Sequence, residues 1–110
     1  MRGEQEPQVT MLAFIDLETR IPQDHPLRTI RRFADEALAS VAFTQAEEGE
    51  TTVTADLKVD FLRPAKPGRL VARATVRHRT KRLAFCETTV EQADGQIIAE
   101  ARAVIAYVNA

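Results

Sequence analysis

A single cysteine in 110 residues excludes an intrachain disulfide, and Cys86 alone fits a reducing compartment. Charge of one sign is missing too. The 15 basic and 16 acidic side chains leave a formal net charge of -1, so no global field marks a polyanion as partner, and no nucleic acid is expected. Apolar runs are short, far below the ~20 residues that cross a bilayer, and Met1 to Gln8 lacks the apolar core of a signal peptide. A soluble, cytoplasmic protein without membrane contact is the expectation. Repeats and low-complexity segments are absent. His25 and His78 each stand without the partners of a zinc site or a catalytic triad, so no metal and no cofactor are expected.

What is present is enough for one core. A hydrophobic content of 45% in a chain of this length predicts a single domain over 1–110. Between Thr51 and Leu62, Val53, Ala55, Leu57, Val59 and Phe61 alternate with Thr52, Thr54, Asp56, Lys58 and Asp60, the pattern of a strand buried on one side. Arg63-Pro64-Ala65-Lys66-Pro67-Gly68 then reads as a turn, because proline removes ladder donors and glycine opens backbone angles closed to other residues. A second strand follows through Leu70, Ala72, Ala74 and Val76. Leu83 to Glu91 and Ile97 to Val108 make a third and a fourth, joined at Asp94-Gly95, a strong hairpin signal. Four antiparallel strands in succession predict a meander. Val9 to Leu17 is a candidate for a further strand, although Met11-Leu12-Ala13-Phe14-Ile15 is too uniformly apolar to separate strand from helix by period.

Upstream the period lengthens. Leu27, Ile30, Ala34, Ala37, Leu38 and Val41 recur at three and four residues, which predicts an amphipathic helix from about His25 to Phe43. Asp24 is a candidate N-cap, and Pro26 falls in the first turn, where its missing N–H costs little. At ~1.5 Å per residue such a helix is close to 27 Å long, enough to span a small sheet. One long helix with an antiparallel sheet curled round it is an α+β layer arrangement.

Three segments of this frame resemble one family. Phe33-Ala34-Asp35-Glu36-Ala37-Leu38-Ala39-Ser40, the strand end Asp60-Phe61-Leu62-Arg63-Pro64-Ala65, and Gly68-Arg69-Leu70 with Asp94-Gly95 look like the hotdog-fold thioesterases of the phenylacetate-degradation (PaaI-like) group. The likeness covers about Phe33 to Val108. It implies a hotdog fold, a homo-oligomer (a dimer or a dimer of dimers) with sheets joined edge to edge, and hydrolysis of acyl-CoA thioesters at the dimer interface. It also carries a catalytic carboxylate onto Asp35. The family opens the same helix with a His-Gly-Gly-like segment, where this chain has Pro26, Leu27 and Arg28, with His25 one position out of register. The first 30 or so residues are similar instead to the start of insertion-sequence transposases, through Phe14-Ile15-Asp16-Leu17-Glu18 and Arg20 to Arg31. That second likeness suggests a chimera, with 1–24 an atypical N-terminal segment.

Thioester hydrolysis needs donors for the oxyanion that develops on the carbonyl and a base or nucleophile that adds oxygen to its carbon. Unpaired N–H groups and the dipole at a helix start supply the first, which makes His25, Leu27 and Arg28 candidate substrate contacts. Pro26 has no N–H to give, and Leu27 and Arg28 bring side chains where bare backbone would be wanted. Asp35 lies off the apolar stripe and can point sideways to activate water or attack directly. Its structural alternative is an ion pair with Arg31, worth ~0.3 kcal/mol. Glu36 ranks second, turned about 100° from Asp35. Arg79, Lys81 and Arg82, in the polar run Arg77 to Arg82, could hold coenzyme A phosphates or simply form a solvated hairpin. Cys86 and Ser40 read as a buried small residue and a helix-face residue. Three readings stand: an acyl-CoA thioesterase, a catalytically silent hotdog domain that dimerises or binds an acyl ligand, and a transposase remnant, the last opposed by the neutral charge and the missing catalytic carboxylates.

Overall fold

Helix periodicity carries through to packing. In a computed structural model that describes residues 10–17 and 25–109, α1 spans His25–Phe43 and buries Ile30, Phe33, Ala34, Ala37, Leu38, Val41 and Ala42 along one side. Leu27, expected on that stripe, is 53% exposed, so the first turn overshoots the sheet. The candidate cap Asp24 and most of the 1–24 segment lie outside the described residues. Alanines fill the contact from both sides, Ala34 and Ala37 on the helix facing a sheet surface that includes Ala72, Ala74, Ala101 and Ala103, and this lets backbone approach backbone. No described helix is long and apolar enough to cross a membrane.

Five strands form the sheet: β1 Thr10–Leu17, β2 Glu50–Phe61, β3 Gly68–Arg79, β4 Leu83–Gln92 and β5 Ile97–Asn109. The ambiguous apolar run is therefore an edge strand, β1, which buries Met11, Ala13 and Ile15 partly and leaves Leu12 and Phe14 exposed. Spatial order is β1-β3-β4-β5-β2, with every pairing antiparallel. This corrects the four-strand meander, since only β3, β4 and β5 follow one another in space. From β2, at one edge, the chain must pass the ends of β5 and β4 to reach β3. Leu62–Pro67 makes that crossing, held by Leu62 N–H to Ile98 O (2.8 Å), Arg63 Nη1 to Ile97 O (3.0 Å) and Gln92 Nε2 to Lys66 O (3.1 Å). Gly68 ends it at φ 132°, a value that a Cβ disfavours. The Asp94-Gly95 hairpin forms as expected, with Gly95 at φ 88° and Gln96 N–H donating to Asp94 Oδ1.

Three irregularities break the strand alternation. Register slips between Thr54 and Asp56 in β2, between Val76 and His78 in β3, and opposite Val90 and Glu91 in β5. Each leaves one residue unpaired, respectively Ala55, Arg77 and Ile98, and inverts the faces beyond it. In β2, Leu57 and Val59 pack toward the core as expected, but before the bulge it is Thr52 and Thr54 that turn inward, while Val53 is 51% exposed. In β3 the bulge sends His78 to the outer face beside Phe85, with ring centroids 5.9 Å apart, and turns Arg79 in. Strict alternation from Val76 would have put His78 on the apolar side, and the unpaired Arg77 is what reverses it.

Candidate functional site

Asp35 is held by the bulge in β2. On α1 it sits one step off the buried Ala34 and is half-buried on the side that faces β2. Because Ala55 is the extra residue, Thr54 points at the helix and its Oγ1 donates to Asp35 Oδ1 at 3.0 Å. No described residue forms a salt bridge with Asp35, so the alternative of an ion pair with Arg31 is not formed and this hydroxyl is the partner instead. A carboxylate fixed through one oxygen keeps the other available as acceptor, the arrangement of a base that orients water. Sequence reasoning missed Thr54. Polar and apolar residues alternate without a break on both sides of the bulge, so no local signal marks the inversion.

Glu36 is exposed and points away from this pair. Leu27 and Arg28 are exposed in the first turns of α1, and the side chains of His25 and Pro26 lie outside the described residues. Lys81 and Arg82 are exposed at the tip between β3 and β4. That tip sits at the opposite end of the helix: Tyr107 N–H donates to Arg82 O (2.8 Å), and Tyr107 Oη donates to Ala42 O (2.7 Å). Arg28 and Ala42 are separated by fourteen residues of helix, about 21 Å. One chain therefore does not bring the two groups of basic residues together.

Arg79 has a different setting from its neighbours Lys81 and Arg82. Turned inward by the bulge in β3, its guanidinium carbon lies 4.0 Å from the centre of the Tyr107 ring, a cation–π contact. Its Nη2 is 3.5 Å from Glu50 Oε1, close enough for charge attraction though without a hydrogen bond. Burial pushes the Tyr107 phenol above its ordinary range, and the Arg79 guanidinium opposes that shift. Cys86 is buried on β4, and burial raises its thiol to about 11, which leaves it protonated and inert near neutrality. No cluster of metal ligands occurs among the described residues.

The likeness to known proteins is consistent in fold. A thioesterase family protein from Silicibacter pomeroyi superposes with a TM-score of 0.84 at 23% identity, covering 99% of this chain and 85% of that one. The E. coli PaaI protein, from the phenylacetic acid degradation operon, gives 0.81 at 22% identity, over 91% of this chain and 73% of that one. A Bacillus halodurans protein solved with CoA gives 0.80 at 19% identity; 88% of this chain matches, spanning only 66% of that protein's chain. The architecture is thus the expected hotdog fold, α+β. No curated protein matches the chain in sequence. None of these comparisons supports the transposase resemblance of the first 30 residues. The profile of the thioesterase superfamily matches residues 29–99, most of α1 and the sheet through the start of β5, and on that match the chain belongs to the thioesterase superfamily.

Proposed function

We propose that the chain is a single hotdog domain that hydrolyses acyl-CoA thioesters, within the PaaI-like group of the superfamily, with Asp35 as general base and Thr54 as its positioning residue. The observation that carries this reading is the 3.0 Å contact between the Thr54 hydroxyl and the Asp35 carboxylate at the sheet edge. Asp35 accepts a proton from water as the water oxygen bonds to the thioester carbon. The oxyanion collapses with loss of the coenzyme A thiolate, and the proton passes from Asp35 to the leaving sulfur.

On this reading the site is shared by two copies of the chain. Backbone donors at residues 27 and 28 are about 10–12 Å of helix rise from Asp35, whereas both must lie within about 3 Å of one reacting carbonyl. A base from one copy and a helix start from another meet that condition if sheets pair edge to edge through the open edge of β2. The His25, Leu27 and Arg28 end of one chain would then approach Lys81 and Arg82 of the second, and we assign the coenzyme A phosphates to those residues. Arg79, stacked on Tyr107, holds the hairpin instead of the substrate. With Cys86 kept as a thiol, we place the activity in the cytoplasm.

The second reading, a silent hotdog domain that dimerises or binds an acyl ligand, is favoured by one observation: Pro26, Leu27 and Arg28 occupy the helix start. Turnover on a panel of acyl-CoA thioesters, with light scattering on the same sample, separates the two. Hydrolysis by a dimer or larger supports the first reading. A dimer inert on every thioester supports the second, and a monomer at micromolar concentration removes the shared site.

A further inference from the structure

Three exposed arginines share one side of α1: Arg28, Arg31 and Arg32. At about 100° per residue, all three fall within about 60° of Asp35 around the helix axis, toward the open edge of β2. Like charges three and four residues apart repel, and Arg31 and Arg32 stand at those spacings from Arg28. α1 also opens with no acidic residue in its first turn, so the positive end of its dipole adds to these charges. No described residue forms a salt bridge with any of the three. The nearby acids are turned elsewhere. Glu36 is exposed and points away, while Asp56 and Asp60 alternate with the inward Leu57 and Val59 and so lie on the outer side of the sheet. Asp35 alone shares the arginine side.

On the shared-site reading, on which this inference rests, backbone donors at residues 27 and 28 of one copy serve the carbonyl that Asp35 of the other copy serves as base. Two identical helices exchange positions in this way when they run antiparallel about a two-fold axis. Halfway between residue 28 and residue 35 lie residues 31 and 32. The axis therefore passes at their level, about 5 Å of helix rise from each reacting centre, and it brings Arg31 and Arg32 of both copies together. Arg28 faces the second copy's Asp35 across the seam, so the four central guanidinium groups are left without a counter-charge. We propose that Arg31 and Arg32 of two copies form an oxyanion site on the dimer axis, which takes one free phosphate and links assembly of the active dimer to it.

Symmetry selects the shape of the ligand as well as its charge. Guanidinium is planar and donates in pairs to oxyanions. A tetrahedral anion has two-fold axes of its own that relate its four oxygens in pairs, so it can lie on the dimer axis and offer equal acceptors to each copy. A carboxylate has only two oxygens for four guanidinium groups. Phosphates carried by coenzyme A belong to two symmetry-related substrate sites and cannot both occupy one axis, which points to a free anion. Bound there, phosphate offsets the repulsion between copies and favours the dimer over separate chains.

The test titrates inorganic phosphate into the full chain, in chloride buffer at constant ionic strength, and reads calorimetry beside light scattering. One phosphate should bind per two chains. At phosphate ~10 times its dissociation constant, the dissociation constant of the dimer should fall ~10-fold. Arg31→Gln with Arg32→Gln should weaken phosphate binding by ~100-fold or more and make assembly indifferent to phosphate, since the charge-assisted contacts and the repulsion are both gone. Two phosphates per two chains would put the anion in the paired substrate sites and overturn the proposal, as would equal binding by the double variant. A dimer that hydrolyses acyl-CoA but binds no phosphate overturns it and leaves the shared site standing. A chain that stays monomeric at every phosphate concentration removes both. Circular dichroism checks folding; if the double variant fails to fold, Arg32→Gln alone, with the same readouts, decides.

Discussion

Replacing Thr54 with valine removes one hydroxyl while keeping the branched shape that β2 accommodates, so it isolates the contact with Asp35. Hydrogen bonds to charged groups contribute about 1.5–3 kcal/mol, and a half-buried carboxylate, which water can partly re-solvate, belongs at the lower end. We expect a loss of ~1.5 kcal/mol. For a domain of this size that lowers the melting midpoint by about 6 °C. Activity should suffer separately, because Asp35 then samples rotamers that point its free oxygen away from the attacking water. A geometric loss of this kind should lower kcat ~10-fold and leave KM nearly unchanged. Thr54→Ser, which keeps the donor, should stay close to wild type in both respects. Combining Thr54→Val with Asp35→Asn tests the coupling, since the valine should cost less kcat once the carboxylate is gone. The assay is release of free coenzyme A thiol from an acyl-CoA, read beside a thermal melt. Should Thr54→Val match wild type in melting and turnover, or should valine and serine lose activity equally, the hydroxyl does not position the base.

Asp35→Asn should lower kcat by ~100-fold with the fold intact, whereas Glu36→Gln stays near wild type; the reverse ranking in steady-state kinetics would identify the wrong acid. Glycine at both Leu27 and Arg28 should raise hydrolysis by baring the helix start, at about 1 kcal/mol of stability per substitution; slower turnover in that variant would mean that the native side chains serve the site. For Cys86, whose thiol burial raises from 9.0 to about 11, folding favours the protonated form, so that contribution is intact below pH 9 and lost as pH climbs through 11. Between those limits the wild type should lose up to ~3 kcal/mol more stability than Cys86→Ala, and parallel pH profiles in chemical denaturation would contradict it.

How far the sequence could be read depended on whether a feature was local. α1 was legible to its ends because a stripe at three- and four-residue spacing reports burial directly, and only Leu27 departs from it, where the helix runs past the sheet. Strand extents were legible from alternation, and the β4–β5 hairpin from Asp94-Gly95. Strand order was not, since Arg63 to Gly68 has the same composition whether it closes a hairpin or crosses two strand ends. The partner of Asp35 was hidden more deeply. One residue of slip places Val53 outside and Thr54 inside, and the amino-acid pattern is equally regular in either phase. Arg79 escaped for the same reason: a charged residue in a polar run gives no sign that a bulge turns it inward.

The two bulges also act on one line of the sheet. Thr54 lies opposite Ile105, Ile105 opposite Ala84, and Ala84 opposite Arg79, so the inversions in β2 and β3 bring both polar side chains to the inner face in a single row. Toward the other end of the strands the inner face is aliphatic, with Leu57, Val59, Leu70 and Val90. Along this row it meets the C-terminal half of α1, where Asp35 and the Ala42 carbonyl have polar groups to satisfy. An unbulged β2 would set Val53 and Ala55 against the helix and leave Asp35 half-buried without its hydroxyl. An unbulged β3 would place His78 inside and put Arg79 in solvent, away from Tyr107 and Glu50. Extra residues also bend a strand and increase its twist, which helps the two edges of the row close round the helix end. Curvature and polarity at the candidate site therefore share one cause, the insertion of Ala55 and Arg77 into otherwise regular strands.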